Sequence, residues 1–236
     1  MKRLTSALRS RVRSLRSVPP PRPIRPAATD AIRHGAHAPR NVGAPIIAIA
    51  ASTGGPAALT RVLADLKGTR ASMLVVQHIG GELSENLASW LCRVTGCPVG
   101  VAEHGAPLLP GAALVAPGGR HLTVDAKGRI ALVATSGDLH QPSADRLFHS
   151  LAAHAGRRTI AAVLTGMGRD GAAGLRALRD AGAMTYAQDE ASSAVFGMAK
   201  TAIELGAVRR VLPLDALGPA MARTARIGPP ARRPAP

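Results

Sequence analysis

Residues 46–59 read Ile46-Ile47-Ala48-Ile49-Ala50-Ala51-Ser52-Thr53-Gly54-Gly55-Pro56-Ala57-Ala58-Leu59, and their interpretation decides the fold. Six small or β-branched apolar residues with no polar alternation suit a strand buried on both faces, as at the centre of a parallel sheet. The run stops at Ser52. The two glycines that follow permit a tight strand-to-helix turn, and Pro56 suits a first helical turn, where its missing N–H has no partner to lose. A hydroxyl is thereby set at the carboxyl end of a buried strand, beside a helix N-terminus. Open α/β sheets bind ligands and stabilise negative charge at such a place.

Outward from this stretch, strand-like and helix-like segments alternate. Ala57 to Leu66 reads as a helix, and Ser72 to Gln77 as a second buried strand ending at His78. Ser84 is placed to cap a helix through Arg93, with Leu87, Leu91 and Val94 on one face. Val99 to Glu103, Ala112 to Ala116, Leu122 to Val124 and Arg129 to Ala134 are short strand candidates. The last two flank Asp125-Ala126-Lys127-Gly128, a hairpin turn. Ser143 to His154 reads as a helix, then Ile160 to Leu164 as a buried strand that breaks into glycines before a helix from Ala172 to Ala181. A strand at Met184 to Ala187, a helix near Gly197 to Leu205, a strand near Val208 to Leu212 and a helix from Asp215 complete the pattern. The expected class is α/β: a doubly wound, mainly parallel sheet with helices on both faces and a small antiparallel excursion around residues 99 to 134.

Composition sets the limits. The chain has 236 residues, 46% of them hydrophobic and only 2% aromatic, so a substantial core must be built from Ala, Val, Leu and Ile. The formal charge of +16 resides in the ends: residues 1–45 hold ten Lys/Arg and one acid, and 219–236 hold four Arg and no acid. The middle, with 16 bases and 13 acids, is close to balance and shows few aromatics for base stacking, which argues against specific nucleic-acid binding. Three parts are expected: a basic, Pro-rich arm over 1–45, a folded domain over 46–218, and a basic, Pro-rich tail over 219–236. Within the arm, Leu4, Leu8, Val12 and Leu15 fall near helical spacing among arginines, a pattern suited to weak contact with an anionic membrane; the alternative is a disordered arm. Cys92 and Cys97 are spaced C-x4-C without a second pair or a histidine at zinc spacing, so neither a disulfide framework nor a metal site is expected. No apolar run approaches the ~20 residues of a membrane span, and a cytoplasmic location is the default.

Three polar residues share one kind of position. Ser52, His78 and Asp170 each stand at or just past the carboxyl end of a buried strand, and in a doubly wound sheet those ends line one edge. They combine a nucleophile, a base and an acid able to orient the base. Backbone N–H groups at the glycine-rich turns around Thr53-Gly54 and Met167-Gly168 are available to an oxyanion. The G-x-S-x-G elbow is absent, and the order Ser, His, Asp differs from the familiar orders, so this would be a separate solution to the same geometry. The turn at Ser52 lacks both G-x-G-x-x-G and a P-loop Lys, which disfavours nucleotide binding. His104, His121, His140, His149 and His154 form no metal-binding pattern and read as surface or packing residues.

Several of these stretches occur together in one known family. Ala51-Ser52-Thr53-Gly54-Gly55, Gln77-His78, Leu109-Pro110-Gly111 with Ala116-Pro117-Gly118, Pro142-Ser143-Ala144-Asp145, Leu164-Thr165-Gly166-Met167-Gly168-Arg169-Asp170-Gly171 and Ala187-Gln188-Asp189-Glu190-Ala191-Ser192 resemble the catalytic domain of the chemotaxis protein-glutamate methylesterases, CheB. The resemblance covers about residues 46–218 with the motifs in order. It implies hydrolysis of glutamate methyl esters on the cytoplasmic helices of chemoreceptors, with release of methanol, and glutamine deamidation as a second activity. No cofactor is implied. The family's catalytic serine, histidine and aspartate fall on Ser52, His78 and Asp170, and its oxyanion-binding methionine amide falls on Met167.

The family's usual phospho-receiver is not expected within residues 1–45, which are too few and too polar to form one. After His78 the family's usual Met-Pro is replaced by Ile79-Gly80. Gln141 stands where Arg is common, and Arg169 where Asn is common. Two alternatives stand beside the methylesterase: a serine hydrolase of the same fold acting on another carboxyl ester or amide, and a non-catalytic docking module with basic arms.

Overall fold

A computed structural model describes residues 43–135 and 140–227. The expectations for the arm before residue 43 and for the tail beyond 227 lie outside the described residues. The core is a seven-stranded sheet, and every pairing in it is parallel. Its strands are β1 (Ile46–Ala51), β2 (Ser72–Gln77), β3 (Val99–Val101), β4 (Ala113–Val115), β7 (Thr159–Val163), β8 (Met184–Gln188) and β9 (Arg210–Leu212), in the order β3-β4-β2-β1-β7-β8-β9. A separate antiparallel hairpin joins β5 (His121–Val124) to β6 (Ile130–Val133). Six helices flank the sheet: α1 (Gly55–Leu66), α2 (Ser84–Thr95), α3 (Ala144–Ala155), α4 (Ala172–Asp180), α5 (Met198–Glu204) and α6 (Leu214–Ile227).

The position of β1 explains its composition. It pairs with β2 on one side and β7 on the other, and all six of its residues are buried. Ile47, Ile49 and Ala51 join a cluster with residues of α1, α2 and α6. Ile46, Ala48 and Ala50 join the opposite cluster with α3, α4, α5 and the hairpin. A strand with no solvent face has no place for polar alternation. The chain leaves β1 into α1 on one face and leaves β7 into α4 on the other, so the crevice between the carboxyl ends of β1 and β7 is the switch point of the sheet.

The antiparallel part is smaller than 99 to 134. β3 and β4 belong to the main sheet and run parallel to it, and the antiparallel pairing is that of β5 with β6, extended by a single bridge between Pro107 and Arg129. The hairpin turn itself is as read: Asp125 Oδ1 accepts from the amides of Lys127 and Arg129, both at 2.9 Å. Ser84 does not cap α2. It is the first helical residue, preceded by a 3-10 turn, and its hydroxyl accepts from the Gly118 amide at 3.0 Å. On the same helix Val94 is exposed, and Thr95 takes the inward position with Leu87, Ala88 and Leu91. The Thr95 hydroxyl donates to Leu91 O at 2.7 Å, which satisfies a polar group that would otherwise be buried unpaired.

The folded part also extends past residue 218. The boundary expected at residue 218 falls inside α6, which continues through Pro219 to Ile227 and buries Leu217, Ala220, Met221 and Ala222. Proline costs one backbone hydrogen bond there, and an apolar face on the core outweighs it. Both cysteines are free thiols. Among the described residues no helix is long and apolar enough to cross a membrane.

Candidate active site

The polar residues collect at the crevice. Ser52 directly follows β1, and its amide donates to Thr165 O, just past β7, at 3.0 Å. The turn that follows is closed by Gly55 N donating to Ser52 O at 2.8 Å, with Gly54 at φ +79°, a left-handed conformation that favours glycine. Thr53 is exposed. Gly166 lies against Ser52: a Cβ at residue 166 would stand 2.7 Å from Ser52 Cβ. The serine and the loop of Met167 are therefore in van der Waals contact because residue 166 has no side chain.

His78 directly follows β2, with its amide donating to Ala51 O at 3.0 Å. Its ring Nε2 lies 2.7 Å from Asp170 Oδ2. Asp170 is buried and receives three further hydrogen bonds, all from the start of α3. Oδ2 accepts from the Ala144 amide at 2.7 Å, and Oδ1 accepts from the Ser143 hydroxyl at 2.8 Å and the Asp145 amide at 3.0 Å. Burial pushes this carboxyl up, but the bonds from His78, from the two amides and from Ser143 outweigh it and hold the pKa at about 2. Asp170 is thus an anion seated on a helix N-terminus.

The structure brings His78 and Asp170 together and sets Ser52 beside the Met167 loop. Among the described residues no hydrogen bond joins the Ser52 hydroxyl to His78. The amides of Thr53 and Met167 donate to no acceptor among the described residues, and the Met167 side chain is 68% exposed at the rim. With Nε2 on Asp170, the His78 nitrogen left for a hydroxyl is Nδ1.

Three supporting residues escaped the sequence reading as parts of the site. The Gln77 side-chain amide donates both to Ser52 O at 2.9 Å and to His78 O at 3.1 Å, tying two strand ends together. The Thr165 hydroxyl donates to Thr53 O at 2.9 Å, linking the two glycine-rich turns. The sequence reading starts a helix at Ser143; in the structure Ser143 caps that helix, its hydroxyl accepting from the Arg146 amide at 3.4 Å, but its donation to Asp170 depends on where α3 packs. A serine capping a helix was the available signal, since that N-terminus attracts carboxylates.

A hydroxyl, an imidazole paired with a carboxylate and two unengaged amides at one crevice suit acyl transfer. Residues 47–221 match the CheB methylesterase family. The chain belongs to that family. The CheB match ends at Met221 within α6, in accord with the extension of the fold beyond residue 218. Among CheB-type relatives, a protein-glutamate methylesterase/protein-glutamine glutaminase of Burkholderia thailandensis is 48% identical over 177 residues, covering 73% of this chain and 50% of that protein. One from Pseudomonas aeruginosa is 44% identical over 184 residues, covering 76% of this chain and 53% of that protein. The chain thus spans about half the length of these curated relatives. The crystal structure of the Thermotoga maritima CheB methylesterase catalytic domain matches with a TM-score of 0.73 at 32% identity, covering 76% of this chain and 98% of that one.

Proposed function

We propose that this chain is a serine hydrolase that removes methyl esters from glutamate side chains on the cytoplasmic helices of chemoreceptors, and that it deamidates glutamine at the same kind of site. The observation that carries the reading is the His78–Asp170 pair at 2.7 Å on the rim of a crevice that also holds Ser52 and two unengaged amides. The names of the relatives support the substrate class.

The steps follow from the groups present. Ser52 Oγ attacks the ester carbonyl carbon while its proton passes to His78 Nδ1. Asp170 holds the ring through Nε2 and balances the imidazolium charge. The oxyanion is received by the amides of Met167 and of the Thr53-Gly54 turn. As the tetrahedral intermediate collapses, the methoxy oxygen takes the proton from His78 and methanol departs, leaving a glutamyl ester on Ser52. Water then attacks this ester with His78 as base, and the glutamate carboxylate is released. The reaction takes place in the cytoplasm, and the basic residues of 1–45 give at most a weak contact with anionic membrane.

Methanol release from carboxyl-methylated chemoreceptor membranes, measured beside Ser52→Ala, tests the reading. Release by the unmodified chain with a loss of about a thousand-fold or more in the variant supports it. A folded protein that releases no methanol from this substrate would sink the assignment and turn attention to other carboxyl esters.

A further inference from the structure

His140 has no part in the steps above, yet its ring lies flat on that of His78, with centroids 4.4 Å apart and planes inclined by 9°. Asp170 alone does not fix the plane of the His78 ring. A hydrogen bond at one nitrogen sets a point and a direction, and the χ2 torsion of histidine is broad, so the imidazole can still pivot about that bond. A flat partner against the ring face removes this freedom. The motion matters because Nε2 is committed to Asp170 and only Nδ1 is left to meet Ser52.

The segment carrying His140 is itself braced. Gln141 O accepts from the Gly119 amide at 3.0 Å, and the Gln141 side chain donates to Thr135 O. Two residues on, the Ser143 amide donates to Nδ1 of the fully buried His121 at 3.2 Å, and the Ser143 hydroxyl donates to Asp170. One short stretch of chain thus holds both the carboxylate that binds the edge of the His78 ring and the aromatic face that covers it.

We propose that His140 is a positioning residue, whose ring face holds the plane of His78 so that Nδ1 addresses the Ser52 hydroxyl while Nε2 stays on Asp170. The proposal rests on the reading of Ser52, His78 and Asp170 as the hydrolytic centre. It requires a flat ring at residue 140, not a titrating one.

The full chain carrying His140→Ala or His140→Phe separates these roles through kcat and KM for methyl ester hydrolysis, with the ring proton resonances of His78 recorded in each folded variant. His140→Ala is expected to lower kcat by about ten- to a hundred-fold with KM little changed, the size expected for a misplaced catalytic group. His140→Phe is expected to keep most of kcat, and the His78 ring signals are expected to move in His140→Ala as the stacked ring's shielding is lost. A raised KM with kcat unchanged would make His140 a substrate contact and overturn the proposal. Equal loss of kcat in both variants would overturn it in favour of imidazole chemistry at residue 140, and no loss in either would leave the stack without a role. Should the unmodified chain release no methanol, the functional reading fails on its own; unmoved His78 signals in His140→Ala would separately show that the stack does not hold the ring.

Discussion

Asp170 is the residue whose surroundings do most to define the site. A buried carboxylate is costly unless paired, and this one has four donors, two of them amides of a helix N-terminus. Replacing it by Asn keeps the shape but places an amide NH2 where one of the donors now points. Asp170→Asn is therefore expected to lower kcat by about a thousand-fold or more with a smaller change in KM, in a steady-state assay of ester hydrolysis. The same environment predicts an acid limit to stability. The folded pKa of about 2 lies below the ordinary 3.8, so the unfolded chain binds the proton first as pH falls. The stabilisation from this group, about 2 kcal/mol, is complete above about pH 4 and is lost between about pH 4 and 2. Urea unfolding of the unmodified chain and Asp170→Asn across that range should show the two curves converging toward low pH. Cys97 shows the opposite effect of burial, which pushes its thiol up to about 11, with the neighbouring Cys92 adding to the rise. At pH 8 it should resist iodoacetamide in the folded protein and react once urea unfolds it, as read by peptide mass spectrometry.

At the scale of elements, the crossing of α3 and α4 determines how the Asp170 cradle is built. Gly174 sits inside α4, and a Cβ there would stand 2.7 Å from Phe148 Cβ and 2.8 Å from Asp145 O on α3. The Gly174 amide also donates to Asp145 Oδ1 at 2.7 Å. Alanine normally stabilises a helix by about 1 kcal/mol relative to glycine. Here the added methyl would push α3 away, and overpacking of this kind costs about 1–3 kcal/mol. Gly174→Ala is expected to lower Tm by several degrees and to lower kcat as well, since α3 carries the donors to Asp170; a thermal melt and an ester assay on the same preparation check both. Such a contact joins elements about 30 residues apart and leaves no periodic trace, so Gly174 reads in sequence as an ordinary helix interior. By contrast β1, β2 and β7 were legible because strands buried on both faces leave unbroken apolar runs ending at Ser52, at Gln77-His78 and at the Thr165-Gly166 break. β3 and β4 have three residues each, too short for their direction to be read from pattern. Ser52, His78 and Asp170 could be named from their place at strand ends. Gln77 and His140 could not, because a side-chain bridge and a ring stack are made by tertiary packing.

For the whole molecule, the sequence reading ends the folded domain at residue 218, and α6 runs past that point to Ile227. Gly218-Pro219 is a strong local breaker, yet the segment beyond it closes one face of the sheet. Met221 is fully buried, Leu217 and Ala220 lie against α1 and the sheet, and the Thr224 hydroxyl pairs with that of buried Tyr186 at 2.8 Å. A chain ending at Gly218 would lose the Met221 side chain, worth about 2–5 kcal/mol as a core residue, together with Ala220, Ala222 and the partner of a buried hydroxyl. A domain with about 5–15 kcal/mol of stability cannot absorb that loss with much to spare. The truncated chain is expected to show either no cooperative thermal transition or one lowered by more than about 10 °C, followed by circular dichroism beside the full chain. Ala222, Ala225 and Arg226, in the part of α6 that would be removed, lie beside Ala44, Pro45 and residues 65–70 rather than at the crevice, so ester hydrolysis should disappear with the fold rather than before it. A truncated chain that melts with the full-length protein would show that the core closes without α6 and that the Gly218-Pro219 boundary is the structural one.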